Sequence, residues 1–131
     1  MGSPLEHRHV LGLDVGAVSV SAAEIDLHGT IVQAFYELHH GEVEECLRRV
    51  LKSVDLRGVG GIAATTSTPA FLRSDRRYNN QICLIASARR VHPVARSILV
   101  VGAERFGLVR FDPDGTYLSY KANSLCAAGT G

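Results

Sequence analysis

The sequence predicts an α/β fold in the order β-β-β-α-β-α, followed by the opening strands of a second, duplicated domain. Three observations support this prediction: apolar runs separated by glycine turns, an apolar stripe of helical period, and an internal repeat. The chain has 131 residues, of which 46% are hydrophobic and 21% are charged. Such a composition is typical of a globular domain with its own core, and it excludes a disordered chain.

The first part of the sequence is predicted to form three strands joined by tight turns. The first run ends at Gly16, and Leu27-His28-Gly29 supplies the next turn. Consecutive strands with short connections make an antiparallel meander. The three predicted strands are Val10–Val15, Val18–Asp26 and Thr30–Tyr36.

A helix follows, and it is predicted by apolar residues at i, i+3, i+4, i+7, i+8 and i+11 from Val43 to Val54. Acidic residues precede and open this segment and Lys52 lies near its end, which matches the helix dipole. We expect the helix to end at Gly58. Residues 59–66 are then predicted as a buried strand, residues 65–69 as a polar turn, and residues 79–90 as a second helix that ends before Pro93.

An internal repeat is the strongest organisational signal. Residues 13–30 align without a gap on residues 99–116, and seven of the eighteen positions are identical. Both copies read as strand, glycine turn, strand, glycine turn and strand. The repeat therefore predicts a first half at 9–96 and the start of a second half at 97–131. Residues 1–8 are predicted to be a leader or tag, and the second half to break off before its helices.

Charge and cysteine content exclude several classes of function. The net charge is +1, so neither a nucleic-acid binder nor a membrane-surface binder is expected. Three cysteines without a CxxC pair favour a reducing, cytoplasmic location over a disulfide scaffold. Cys46 and Cys83 are predicted to pack in the core. The pairs His39-His40, Arg76-Arg77 and Arg89-Arg90 are predicted to be solvated.

The first hairpin has the features of a phosphate-binding turn. Asp14 ends a strand, and Gly16 follows it where the chain must turn. Glycine lets a backbone approach an anion closely, and an aspartate can hold Mg²⁺ through its water shell. Ser19 and Ser21 could add hydroxyl donors. The alternative is a plain hairpin in which Asp14 bonds only to its own turn.

The Gly12–Gly16 hairpin, its duplication and the final segment Asn123–Gly131, which contains CAAGTG, together resemble the BadF/BadG/BcrA/BcrD-type ATPases. These proteins are ATP-dependent activators of 2-hydroxyacyl-CoA dehydratases and benzoyl-CoA reductases. The resemblance implies an RNase H-like fold, shared with actin, sugar kinases and heat-shock chaperones, with ATP between two halves. It also implies a cytoplasmic homodimer that carries a [4Fe-4S] cluster and passes an electron to a partner dehydratase or reductase.

The resemblance extends the candidate site. Cys126 matches the first cluster ligand of the family, whereas the second cysteine is expected beyond Gly131. The predicted nucleotide- and Mg²⁺-binding residues are Asp14, Gly16, Ala17, Ser19, Gly102, Ala103, Gly129, Thr130 and Gly131.

Departures from the family pattern bear on activity. Ala17 replaces the usual serine, and Val20-Ser21 replaces a Thr-Lys pair. In the second motif, Val100 stands where the family has aspartate, and a valine cannot hold Mg²⁺. We therefore expect nucleotide binding without turnover by this chain. The alternative hypothesis is an inactive, ATPase-like module with a structural or protein-interaction role.

Overall fold

The computed structural model describes residues 9–102 and 106–123. The chain divides into two compact units, one ending at Asn80 and the other beginning at Gln81. The elements of the first unit are β1 (His9–Val15), β2 (Ser19–Asp26), β3 (Ile31–Leu38), α1 (Val43–Lys52), a 3₁₀ turn (Leu56–Gly58), β4 (Val59–Thr65) and β5 (Arg76–Tyr78). Helix α2 (Asn80–Val91) starts at the boundary, and β6 (Ser97–Val101), β7 (Phe106–Phe111) and β8 (Tyr117–Asn123) follow it.

The first unit is built on a five-stranded sheet in the order β3-β2-β1-β4-β5. Strands β1, β2 and β3 pair antiparallel, which confirms the predicted meander. Strand β4 pairs parallel with β1, and β5 pairs parallel with β4. The carboxyl ends of β1 and β4 therefore lie side by side at one edge of the sheet.

The core of this unit lies between one face of the sheet and α1. Side chains alternate across a strand, so every second residue of β1 and β2 faces the helix. Each fully buried aliphatic side chain of this kind contributes about 1.5–3 kcal/mol. The core includes Leu11, Leu13, Val15, Val20, Ala22, Cys46, Leu47, Val50 and Ala64.

Glu24 is the buried acid of this core face, with 5% of its surface exposed. Its carboxylate accepts a hydrogen bond from Gln33 Nε2 and lies in contact with His9 Nδ1. Because Glu24 is opposite Leu11 whereas Asp14 is opposite Ser21, the acid lies toward the other end of the strands from Asp14. Its partners satisfy the hydrogen-bonding needs of a buried carboxyl group, which is a structural role.

The second unit contains a three-stranded antiparallel sheet in the order β6-β7-β8. Val109 and Phe111 of β7 are buried, whereas Leu99, Val101 and Phe106 are more than half exposed. Arg89 of α2 lies over the ring of Phe111, 4.9 Å from its centroid. Arg89 also donates a hydrogen bond to the carbonyl oxygen of Gly115. The prediction that Arg89 is merely solvated is therefore wrong, because the aromatic face and the carbonyl hold the guanidinium.

The repeated segment folds into the same turn in both copies. In the first copy, Thr30 N donates to Asp26 Oδ1 over 2.8 Å and Gly29 N donates to Asp26 O over 2.9 Å. In the second copy, Thr116 N donates to Asp112 Oδ1 over 2.8 Å and Gly115 N donates to Asp112 O over 3.0 Å. Gly29 and Gly115 have φ of 78° and 85°, where glycine is favoured. Three of the identities in the repeat thus specify one turn geometry.

Two elements differ from the sequence prediction. Helix α1 ends at Lys52, and Gly58 belongs to the separate 3₁₀ turn that Asp55 caps through Arg57 N. Strand β5, only three residues long, comes between β4 and α2. The Arg-Arg-Tyr sequence has no alternation of apolar and polar residues that would predict a strand. The segment is a strand because it pairs with β4. Neither helix in the described ranges combines the length and the apolar composition of a membrane-spanning segment.

Candidate functional site

Asp14 lies at the edge of the sheet where β1 and β4 both end. Leu13 pairs with Ala64 in the parallel register of these strands. The next residues along, Asp14 and Thr65, are therefore neighbours on the face opposite α1. Ser21 lies directly across from Asp14 on β2. The topology thus brings an acidic and two hydroxyl side chains together.

One oxygen of the Asp14 carboxylate accepts three hydrogen bonds. Thr65 Oγ1 donates to Asp14 Oδ1 over 2.6 Å. Ser67 Oγ and Asn80 Nδ2 donate to the same oxygen over 3.2 Å and 3.3 Å. Within residues 9–102 and 106–123, nothing donates to the other oxygen, Oδ2. The carboxylate is therefore fixed through one oxygen and open at the other.

Asn80 joins this network through both atoms of its amide. Its Oδ1 accepts from Ser67 N over 3.2 Å and from Thr66 Oγ1 over 3.1 Å. Its Nδ2 donates to Ser67 Oγ over 2.8 Å as well as to Asp14. Because the Ser67 N–H can only donate, the amide oxygen must face it and the amide nitrogen must face Asp14.

The segment after β4 is held in place by hydrogen bonds of Thr68 and of Arg77. Thr68, 2% exposed, accepts from Val15 N over 3.2 Å and lies 3.0 Å from Thr65 Oγ1. Arg77 donates to the carbonyl oxygens of Thr68, Pro69 and Leu72. Arg77 is exposed, as predicted, and its guanidinium also organises this loop.

The β1–β2 turn offers backbone donors. Gly16 N donates to Ser19 O over 2.8 Å, which closes the turn. The N–H groups of Ala17 and Val18 have no acceptor among the described residues. Two consecutive unpaired N–H groups beside a glycine form a concavity that suits an anion.

Among the residues that the structure describes, none gives a steric reason for glycine at position 16. A Cβ atom there would lie 3.7 Å from Ser19 O, which is ordinary contact, and its φ is not among the positive values. The missing side chain leaves room for a ligand to approach the backbone here.

His39 contacts the backbone of the β1–β2 turn at Gly16. The prediction of a solvated His39 is wrong, since only 8% of it is exposed. Its Nδ1 accepts from Gly41 N over 3.0 Å, and its Nε2 lies 3.3 Å from Gly16 O. His40, in contrast, is exposed, as predicted.

The structure places part of the predicted site in one cluster. Asp14, Gly16, Ala17 and Ser19 lie together at the β1–β2 turn of the first unit. Gly102 follows β6 in the second unit. The remaining predicted residues lie outside the described part of the chain, and they are Ala103, Cys126, Gly129, Thr130 and Gly131.

Sequence reasoning missed four residues around Asp14. These are Thr65, Ser67, Thr68 and Asn80. The available signal was a polar Thr-Thr-Ser-Thr run directly after a predicted buried strand. Polar residues at a strand end are candidates for a site when that strand runs parallel to the one that carries Asp14.

Neither described cysteine belongs to the Asp14 cluster. Cys46 is fully buried in the α1 core, as predicted, and burial raises the pKa of its thiol, with a further contribution from the nearby Glu37 carboxylate. Cys83 on α2 is partly exposed. In the described ranges, no three His, Cys, Asp or Glu side chains form a metal-binding group.

A cleft of about 570 Å³ lies beside the loop that Arg77 organises. Its lining residues are Ile62, Ala70, Leu72, Arg73, Ser74, Asp75 and Arg77. Asp14 and the turn residues do not line it, so it is separate from the candidate site.

No protein-family model matches the sequence, and no curated protein matches it significantly. Solved structures do match the fold. Component A of (R)-2-hydroxyglutaryl-CoA dehydratase from Acidaminococcus fermentans superposes with a TM-score of 0.76 at 18% identity, over 92% of this chain and 49% of that chain. The activator of 2-hydroxyisocaproyl-CoA dehydratase from Clostridium difficile, with bound ADPNP, gives 0.74 at 16% identity, over 91% and 47%.

A third similar structure is the ethanolamine utilization protein EutJ from Carboxydothermus hydrogenoformans, with a TM-score of 0.63 at 16% identity over 92% of this chain and 53% of that chain. The chain thus spans about half the length of all three structures. Identities this low establish the fold alone. The predicted α/β fold class is confirmed: the chain has the fold that these solved structures share over its length.

Proposed function

We propose that the chain binds Mg²⁺–ATP or Mg²⁺–ADP at the β1–β2 turn. The observation that supports this proposal is that one turn combines a carboxylate held through only one of its oxygens with two backbone N–H groups that have no acceptor among the described residues. Asp14 is held through Oδ1 by its neighbours, and the N–H groups of Ala17 and Val18 lie a few residues away without a described acceptor.

The turn has the donors that a phosphate group needs. Ala17 and Val18 would donate backbone N–H groups to phosphate oxygens, while Gly16 leaves room for close approach. The hydroxyls of Ser19 and Ser21 would add donors on the same side of the hairpin. A single open carboxylate oxygen at Asp14 fits Mg²⁺, which keeps most of its waters, and the bound ion would neutralise phosphate charge.

We further propose that the chain is the N-terminal part of an ATP-dependent activator of a CoA-ester dehydratase or reductase. One structural neighbour is named as the activator of a CoA-ester dehydratase and was solved with bound ADPNP, and another is named as component A of such a dehydratase. The CAAGTG segment at Cys126–Gly131 supports the same assignment. A cytoplasmic homodimer acting on a partner dehydratase or reductase follows from this proposal.

The proposed [4Fe-4S] cluster rests on Cys126 in the full-length protein. The described residues do not fit a cluster, because Cys46 is enclosed in the α1 core and no three His, Cys, Asp or Glu side chains of the described ranges form a metal-binding group. No step of the proposed activity is therefore assigned to Cys46 or Cys83. Gly102, Ala103, Gly129, Thr130 and Gly131 stay predicted nucleotide-binding residues.

Turnover is not part of the proposal for this chain. Val100 lies in β6 and pairs with Gly107, at the place where the resembling family has its second aspartate. A valine provides no oxygen for a cation or a water, so the second hairpin cannot replace what Asp14 supplies. Binding without phosphate release is the expected behaviour.

Titration calorimetry with Mg²⁺–ADP tests the proposed site. We expect Asp14→Asn and Gly16→Ala each to weaken binding by about tenfold or more, since one loses a charge and the other fills the approach path. Gly12→Ala is a matched control, because its Cβ would also lie 3.7 Å from a backbone oxygen, that of Ala23. It should bind like the unchanged chain.

The same experiment has clear contradicting results. Equal heats for the unchanged chain, Asp14→Asn and Gly16→Ala would show that nucleotide does not bind at this turn. Steady phosphate release from ATP by the unchanged chain, but not by Asp14→Asn, would contradict the absence of turnover.

A further inference from the structure

We infer that Thr65, Ser67 and Asn80 are positioning residues that fix Asp14 through Oδ1 and so present Oδ2 to the bound cation. This inference rests on the proposed function, since it states how the Asp14 carboxylate is oriented for its ligand. The polar residues after β4 thereby gain a role that the structure of the β1–β2 turn alone does not explain.

Thr65 makes the shortest of the three contacts to Asp14 Oδ1, at 2.6 Å. Thr65 is 7% exposed, so its hydroxyl cannot turn freely to water. Thr68 Oγ1, 3.0 Å from Thr65 Oγ1, is itself fixed by the N–H of Val15. The donor to Asp14 is thus supported by a second hydroxyl tied to the backbone of β1.

Asn80 makes the arrangement specific for an amide. Its oxygen faces the Ser67 N–H and the Thr66 hydroxyl, which leaves only its nitrogen to face Asp14, 3.3 Å away. An aspartate at position 80 would place a carboxylate oxygen against that of Asp14. Like charges at this distance repel, so the carboxylate of Asp14 would turn or share a proton.

Together these donors occupy one side of the carboxylate. A carboxylate without them could rotate and bind a cation through either oxygen or both. Because Oδ1 accepts three hydrogen bonds, the Asp14 carboxylate is held in one orientation and Oδ2 points in a fixed direction. The expected consequence is a gain in nucleotide affinity that depends on Mg²⁺ and on the three donors together.

The test compares ADP affinity with excess Mg²⁺ and with EDTA, and the ratio of the two is the Mg²⁺-dependent gain. Thr65→Val keeps the shape but removes the hydroxyl, and Thr65→Ser restores it. We expect Thr65→Val and Asn80→Asp to reduce the gain by about tenfold, since a charge-assisted hydrogen bond is lost or reversed. Affinity for ADP in EDTA should not change, and Thr65→Ser should keep the gain.

The outcomes separate this inference from the proposed function. If the unchanged chain shows a Mg²⁺-dependent gain and both Thr65→Val and Asn80→Asp retain it, the positioning role is wrong while the proposed site stands. If a variant loses affinity equally with and without Mg²⁺, its residue acts on the fold and the inference is overturned. If the unchanged chain itself shows no gain, the proposed function fails and this inference fails with it. Thermal unfolding confirms which variants are folded, and Asn80→Asp decides the matter should Thr65→Val unfold.

Discussion

Nε2 of His39 lies 3.3 Å from the carbonyl oxygen of Gly16, so the loop after β3 supports the turn before β2. His39 Nδ1 already accepts the Gly41 N–H, which means that the proton is on Nε2 and that Nε2 donates to Gly16. The buried ring is thus a fixed spacer between two loops. The open N–H groups of Ala17 and Val18 depend on this support.

Replacing His39 should loosen the phosphate-binding turn. We expect His39→Ala to cost about 1–3 kcal/mol, because a buried side chain is removed and the carbonyl of Gly16 and the N–H of Gly41 both lose a partner. Urea unfolding measures the loss, and amide exchange at residues 16–18 should become faster. His40→Asn is the control, since exposed His40 has φ of 47°, which asparagine tolerates. Equal stability of the two variants would contradict the supporting role.

Acid should weaken the β2–β3 turn through Asp26. The N–H groups of Thr30 and His28 donate to its carboxylate, and the Thr30 hydrogen bond is the main reason why the pKa of Asp26 lies below its ordinary value. A lowered pKa in the fold means stabilisation that is complete above the ordinary value and lost as the pH falls through the folded value.

We therefore expect the stability of the unchanged chain to fall more steeply below about pH 4 than that of Asp26→Asn, which keeps an acceptor without the charge. Denaturant unfolding at a series of pH values measures both curves. Parallel curves would show that the charge on Asp26 does not stabilise the turn.

The two described cysteines should differ in reactivity. Burial, followed by the Glu37 carboxylate, raises the pKa of the Cys46 thiol, and the thiolate is the reacting form. Cys83 is partly exposed on α2. We expect iodoacetamide at pH 8 to label Cys83 at least about tenfold faster than Cys46 in the folded chain, as peptide mass spectrometry would show. Equal labelling rates of Cys46 and Cys83 in the folded chain would contradict the enclosed position of Cys46.

Gly115 should be less replaceable than another glycine with positive φ. Gly41 and Gly115 have φ of 88° and 85°, so alanine at either costs about 1–2 kcal/mol of backbone strain. Only at Gly115 would the new Cβ meet a side chain, that of Arg89 at 2.8 Å. Hydrogen exchange, which resolves the stability of each unit, should show about 1 kcal/mol more loss for Gly115→Ala. In an Arg89→Met background this excess should disappear, and an unchanged excess would contradict the contact.

The fold could be predicted because its determinants are local. The period of the apolar residues in α1 and the repeated Asp-x-x-Gly-Thr turns are visible in the sequence, and both specify backbone geometry directly. Strand β5 could not be found in this way, because Arg76–Tyr78 becomes a strand only by pairing with Ala63–Thr65.

The candidate site was only partly predictable for a related reason. Asp14 and Gly16 are neighbours in sequence, whereas Asn80 reaches Asp14 across 66 positions. The burial of His39 and the loop contacts of Arg77 are likewise long-range consequences of packing. Local patterns indicate what a turn can bind, but the residues that orient its side chains come from other parts of the chain.

The most direct test of the account is a ¹⁵N-resolved NMR titration of the unchanged chain with Mg²⁺–ADP. We predict that the amide signals of Gly16, Ala17 and Val18 move in proportion to saturation, with the signal of Ser67 N following. Asp14→Asn should abolish these shifts at the same concentrations. Shifts confined to other parts of the chain, or an Asp14→Asn spectrum that titrates like that of the unchanged chain, would contradict nucleotide binding at the β1–β2 turn.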